Sequence, residues 1–120
     1  KALAGTYMIP TLIFDEIDVG VGGTALVAMA SKLYELSLEH QLILVTHSPQ
    51  IASLAHQHFL IEKASSKDCT FTTVRGLEAE ARVEEIARML EGEDFSSLAR
   101  EHAREMLTRR DLTQTAAKRE

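Results

Sequence analysis

Residues 11–18 read Thr-Leu-Ile-Phe-Asp-Glu-Ile-Asp, an apolar run that stops on adjacent acids, and residues 41–47 carry a second apolar run that stops on His47. Continuous apolar runs of this length, rather than alternating ones, are the mark of strands buried on both faces, and such strands are usually parallel. Between them Leu26, Met29, Ala30, Leu33 and Leu36 recur at helical spacing from Thr24 to about His40. Residues 9–46 therefore predict a β-α-β unit with a right-handed crossover and both strands in one sheet. In such sheets the carboxyl ends of the strands face the ligand crevice, so Asp15, Glu16 and His47 are expected at one rim.

The remaining chain reads as short elements. Pro10 suits the first position of a strand. Ser48-Pro49 is a helix start, with serine as cap and proline in the first turn, and predicts a short helix over Pro49–Ala55. Extended runs at Phe59–Lys63 and Cys69–Arg75 flank a polar stretch, Ala64–Asp68, which predicts a hairpin. Val83, Ile86, Ala87 and Leu90 form a helical stripe that Gly92 stops. Asp94 or Ser96 is expected to cap a further helix with Leu98, Ala99, Ala103, Met106 and Leu107 facing inward. From Thr108 the chain is polar and stripeless, so residues 108–120 are expected to fray or be disordered. The fold class expected is α/β: a largely parallel sheet with flanking helices and a β-hairpin.

At 120 residues the chain fits one domain, and a net charge of −5 gives no general pull toward nucleic acid, so any DNA contact is expected to be local or to lie outside these residues. No apolar stretch approaches the roughly 18 residues of a membrane span, and no charged leader precedes a short apolar core, so neither anchor nor signal peptide is expected. Cys69 is the single cysteine and is expected to be a half-buried strand thiol, in keeping with a reducing cytoplasm. The chain begins at Lys1 with a helical stub, Lys1–Tyr7, running straight toward a strand, which points to a piece of a longer protein.

Asp15 and Glu16 offer a division of labour. A carboxylate at a strand tip can hold Mg²⁺ through its water shell, because that ion dehydrates reluctantly and prefers hard oxygen ligands. A second carboxylate one residue on can orient or deprotonate a water, as phosphoryl transfer requires. The alternative is a strand meeting solvent with two surface acids. His47, just ahead of a helix start, could hydrogen-bond a terminal phosphate; alternatively it bonds nearby backbone. His40, His56, His58 and His102 lack metal-ligand spacing. Val19-Gly-Val-Gly-Gly23 is not the dinucleotide fingerprint, since Glu16-Ile-Asp18 intervenes and the third glycine is misplaced. Those glycines are expected to permit a sharp turn and close approach to another surface.

Taken in order, the apolar strand ending in Asp-Glu, the small-residue turn, the helix, and the second strand ending in Thr-His resemble the distal half of an ABC-type ATPase head. Phe14-Asp-Glu-Ile-Asp-Val-Gly-Val-Gly-Gly23, Thr46-His-Ser-Pro-Gln-Ile-Ala52 and Arg82-Val-Glu-Glu-Ile-Ala-Arg-Met-Leu90 are closer still to the RecN family of SMC-like DNA repair ATPases. The similarity covers about residues 1–107. It implies the C-terminal lobe of a P-loop NTPase head, with Asp15 as the Walker B aspartate serving Mg²⁺ and Glu16 as the catalytic base. It makes Asp18 to Gly23, with Gly20 and Gly22, the D-loop region facing an opposing head, and His47 the contact to the γ-phosphate of ATP. The implied partners are the N-terminal half of the same head, a second copy through ATP-sandwiched heads, and DNA, in a cytoplasmic, nucleoid-associated protein without membrane contact. The chain departs from the pattern in having no G-x-x-x-x-G-K-[ST] loop and no LSGG-type signature, so these residues alone are expected neither to bind ATP tightly nor to hydrolyse it. Another SMC-like or transporter-type head, and an interaction module without nucleotide chemistry, remain as alternatives; the Val19–Gly23 turn argues against a transporter.

Overall fold

The structure, a computed structural model, describes the backbone of residues 10–119 and the side chains of residues 10–111. The stub expected at Lys1–Tyr7 lies outside these residues. Two compact units divide the chain, one ending at Leu54 and the other beginning at Ala55.

The first unit is the expected β-α-β motif followed by a short helix. Strand β1 (Thr11–Asp15) pairs in parallel with β2 (Gln41–Val45), from Thr11 opposite Gln41 to Asp15 opposite Val45. The ladder opens at the proline, whose carbonyl accepts from the Gln41 N–H at 2.7 Å, a role that its missing N–H does not impair. Helix α1 (Gly23–Ser37) crosses between the strands, and α2 (Pro49–Ala52) follows β2. Helix α2 is shorter than the sequence predicts, and Ser48 caps it by accepting from the Ile51 N–H at 3.4 Å.

The core of this unit is Ala30, Leu33 and Ile51, with Phe14, Leu26, Met29, Leu42, Leu44 and Leu54 packed against it. Fully burying a side chain such as Leu33 stabilises by about 1.5–3 kcal/mol. Strand residues alternate between faces, so Phe14, Leu42 and Leu44 meet the helices while Ile13, Ile43 and Val45 occupy the other face. That second face is open: Ile13 is 71% exposed, and Ile43 and Val45 are exposed as well. The continuous apolar runs had predicted burial on both faces; within this unit only one is covered.

The second unit is a hairpin followed by two helices. Strands β3 (His58–Ser65) and β4 (Thr70–Leu77) pair antiparallel from His58 opposite Leu77 to Ser65 opposite Thr70. They run longer than expected, and a two-residue turn, Lys67-Asp68, is closed by Ser66 N–H to Cys69 carbonyl at 2.8 Å and the reciprocal bond at 3.3 Å. Cys69 therefore sits at the turn and is exposed, not half-buried in a strand.

Helix α3 (Ala79–Glu91) stops at Gly92, whose φ of 99° glycine adopts without steric penalty. Ser96, not Asp94, caps α4 (Ser97–Arg119): its Oγ accepts from the Ala99 N–H at 3.2 Å, and Glu91 accepts from the Ser96 N–H and hydroxyl at 2.9 and 3.0 Å. Arg100 binds Glu84 and Arg104 binds Glu80, each at 2.9 Å, so α3 and α4 run antiparallel. Val83, Ile86, Ala87, Ala99 and Ala103 are buried, as the stripes predict. Leu98, expected inward, is 70% exposed. It precedes the first buried position of α4 by one residue and so falls on the neighbouring face.

Helix α4 continues to Arg119, so the stretch from Thr108 that reads as a fraying tail has helical backbone. The stretch contains no Gly or Pro, Arg109 pairs with Glu105 one turn back at 2.8 Å, and the Arg110 guanidinium donates to the Ala55 carbonyl at 3.2 Å. Among the described residues no helix is long and apolar enough to cross a membrane.

Candidate functional site

The expected site residues Asp15, Glu16, Asp18, Gly20, Gly22, Gly23 and His47 all lie in the first unit, where two loops leave the carboxyl ends of β1 and β2. The ladder runs one residue past β1, because the Glu16 N–H donates to the Val45 carbonyl at 2.8 Å. The chain then turns sharply: Glu16 has φ of 52°, in the left-handed region. For a residue with a Cβ that conformation costs about 1–2 kcal/mol and persists only where the surroundings impose it.

The turn brings Glu16 to the end of the next strand. Its Oε1 lies 3.0 Å from His47 Nε2, so a protonated Nε2 donates to the carboxylate. The pair is open to ligands, with the His47 side chain 86% exposed and that of Glu16 47% exposed. Asp15 ends β1 opposite Val45 and is exposed. Register and face alternation set it on the open side of the sheet with Ile13. Among the described residues no group of three or more His, Cys, Asp or Glu side chains could hold a metal unaided. A lone strand-tip carboxylate nevertheless suits Mg²⁺, which keeps several waters and takes the rest of its ligands from phosphates.

Past Glu16 the loop folds through two tight turns, with Val19 N–H to the Glu16 carbonyl at 3.4 Å and Val21 N–H to the Asp18 carbonyl at 3.1 Å. Gly20 and Gly23 adopt φ of 78° and 58°, values that explain glycine at both positions. Gly22, which caps α1 in extended conformation, is not explained that way. Among the described residues a Cβ at any of the three would meet nothing within 4 Å, so the close approach expected from them is not made there.

Asp18 turns inward. One carboxylate oxygen, Oδ2, accepts the Thr46 hydroxyl at 2.7 Å, whereas Oδ1 is buried without a partner. Thr46 Oγ1 also accepts the Ser48 N–H at 2.9 Å, so one hydroxyl bonds the loop after β1 and the loop after β2 together. Sequence reading places Thr46 in the strand and gives it no chemistry. The available signal was a hydroxyl two residues ahead of a capping serine, the spacing of a side-chain turn. Gln50 joins the same network by accepting the Ser48 hydroxyl at 3.0 Å.

Comparison with known proteins gives the family and the fold. No family model matches the chain. The DNA repair protein RecN of Streptomyces coelicolor is 45% identical over 104 residues, 87% of this chain and 18% of that protein. RecN of Deinococcus radiodurans is 47% identical over 98 residues, 82% of this chain and 17% of that protein. RecN of Bacillus subtilis is 36% identical over 107 residues, 89% and 19% respectively. The chain thus spans less than a fifth of the length of these curated relatives. A solved structure from work on ATP-driven dimerization and DNA-stimulated activation of SMC ATPases matches with a TM-score of 0.56 and 20% identity, covering 77% of this chain and 55% of that one. By sequence the chain belongs with the RecN DNA repair proteins, and its fold is that of part of an SMC-type ATPase head.

Proposed function

We propose that this segment supplies the water-activating side of an ATP site in a full-length RecN-type protein, where hydrolysis governs the engagement of two heads and DNA binding in double-strand break repair and recombination. The observation that carries the reading is the Glu16–His47 pair, 3.0 Å apart and exposed at the carboxyl ends of adjacent parallel strands. Strand ends of this kind are where ligands bind in open α/β sheets. A left-handed, non-glycine residue at the tip fits a position held for its side chain.

In this reading Glu16 takes the proton of a water aligned for in-line attack on the γ-phosphate, and His47 turns its Nε2–H from the carboxylate to a γ-phosphate oxygen when ATP binds. Asp15 would be the residue to hold Mg²⁺, which would supply charge neutralisation at the phosphate oxygens. The loop from Asp18 through Gly20, Gly22 and Gly23 faces the opposing head of a homodimer, and the open space around its glycines leaves room for that surface. The phosphate-cradling loop comes from the N-terminal half of the same head. Electrostatic positioning supplies most of the acceleration. The residues act in the cytoplasm, at the nucleoid.

The test is Glu16→Gln in the full-length protein. Losing the base should lower turnover by roughly 10²–10⁴-fold while ATP-dependent dimers persist. Turnover near that of the unmodified protein would rule Glu16 out as the base.

A further inference from the structure

We infer that Thr46 is a positioning residue for this site: its single hydroxyl holds the loop after β1 and the His47 loop in one fixed arrangement. The inference rests on the ATP-site reading above. Thr46 Oγ1 donates to Asp18 Oδ2 at 2.7 Å and accepts from the Ser48 N–H at 2.9 Å, so its proton and a lone pair are both engaged. His47 is the residue between the two ends of the second bond. Its backbone is therefore clamped by a side chain that is itself tied to Asp18, two residues beyond Glu16.

The surroundings offer no easy substitute. Among the described residues Asp18 Oδ1 is buried without a partner, and the Thr46 hydroxyl is the side-chain donor that its carboxylate holds. Ser48 is buried, and its hydroxyl is turned toward Gln50 Oε1 at 3.0 Å and the Ile51 N–H at 3.4 Å, away from Thr46. Valine at position 46 would keep the shape of threonine but leave the Asp18 carboxylate and the Ser48 N–H without this partner. Both loops would then be free to shift, and with them the Glu16–His47 distance. Serine keeps the hydroxyl and loses only a methyl group. The hydrogen bonds described for the Thr46 hydroxyl go to Asp18 and Ser48, not to Glu16 or His47, so its effect is on how well these two are placed.

The experiment is steady-state ATP turnover in the full-length protein, comparing Thr46→Val, Thr46→Ser, Asp18→Ala, the Thr46→Val/Asp18→Ala double variant and Glu16→Gln. A displacement of about 1 Å at a reacting group costs on the order of a hundredfold, so Thr46→Val should lower kcat by that order with KM for ATP little changed. Thr46→Ser should restore turnover to within about threefold of the unmodified protein. The double variant should be no worse than the more damaging single change, because both remove the same bond. Normal kcat in Thr46→Val, failure of serine to rescue, or independent, multiplying losses in the double variant would overturn the inference. If Thr46→Val does not fold, full turnover in folded Asp18→Ala would overturn it equally. If Glu16→Gln stays active, the ATP-site reading itself fails; if Glu16→Gln is dead and Thr46→Val is normal, only the role of Thr46 fails.

Discussion

Glu16 and His47, 31 positions apart in sequence, meet at 3.0 Å because β1 and β2 pair in parallel and in register. The contact needs three local decisions: β1 stops at Asp15, the chain turns at Glu16, and β2 delivers His47 two residues past its last paired position. Any slip of register between the strands would separate the pair, which makes the contact a sensitive reporter of this unit's integrity.

The 120 residues alone should show no Glu16-dependent ATP turnover, since they carry no phosphate-cradling loop. The measurement is phosphate release by the isolated chain and by its Glu16→Gln variant. Hydrolysis above background that disappears in the variant would contradict this.

Core and open-face positions of the first unit should respond differently to truncation. Leu33→Ala removes a buried side chain between helix and sheet and should destabilise by about 2–5 kcal/mol. Ile13→Thr, at a position 71% exposed, should move stability by less than about 1 kcal/mol in the same urea titration. Equal effects would mean that the open face is covered in solution.

Stability should fall on acidification through a histidine. His58 has its pKa lowered from 6.5, first by burial and then by the charge of Arg82, with Glu85 acting the other way. A base with a depressed folded pKa is held neutral in the native state while the unfolded chain takes up a proton more readily. Its contribution is therefore fully present above about pH 6.5 and is lost as pH falls through the folded value. Urea midpoints from pH 8 to pH 5 should decline, and His58→Gln should flatten the slope over that window.

Helix capping distinguishes two candidate residues. Ser96→Ala removes the acceptor for the Ala99 N–H and the hydroxyl bound by Glu91, and should cost about 1 kcal/mol. Asp94→Ala should cost less than about 0.5 kcal/mol, because Asp94 is not the cap. Thermal unfolding of the two variants side by side checks the assignment.

Much of this was legible in the residues. The apolar runs at positions 11–15 and 41–45 gave both strands of the parallel pair, and the stripe from Leu26 to Leu33 gave the helix between them, since side-chain period reports directly on which face is buried. Glycine and proline marked the ends of α3 and the start of α2 for the same local reason. What sequence could not give was whatever depends on two distant segments meeting. The Thr46–Asp18 bond joins loops 28 residues apart, and a threonine at a strand end carries no mark of that role. Nor does composition separate Asp94 from Ser96 as a cap, or reveal that the hairpin turn is only two residues long. The helical backbone after Thr108 is not marked by an apolar stripe, because neither helix propensity nor the Arg110 bond to the Ala55 carbonyl depends on one.

If Glu16 is the base proposed above, its left-handed backbone sets folding and chemistry at odds in one residue. Glycine there would relax the turn and raise the melting temperature, by an amount of order 1 kcal/mol in stability, yet would delete the carboxylate. A library randomised at position 16 and screened for heat resistance should thus enrich glycine and asparagine, while the same library made in the full-length protein and screened for ATP turnover should, on the proposed reading, return glutamate. Position 16 is where those two selections part company.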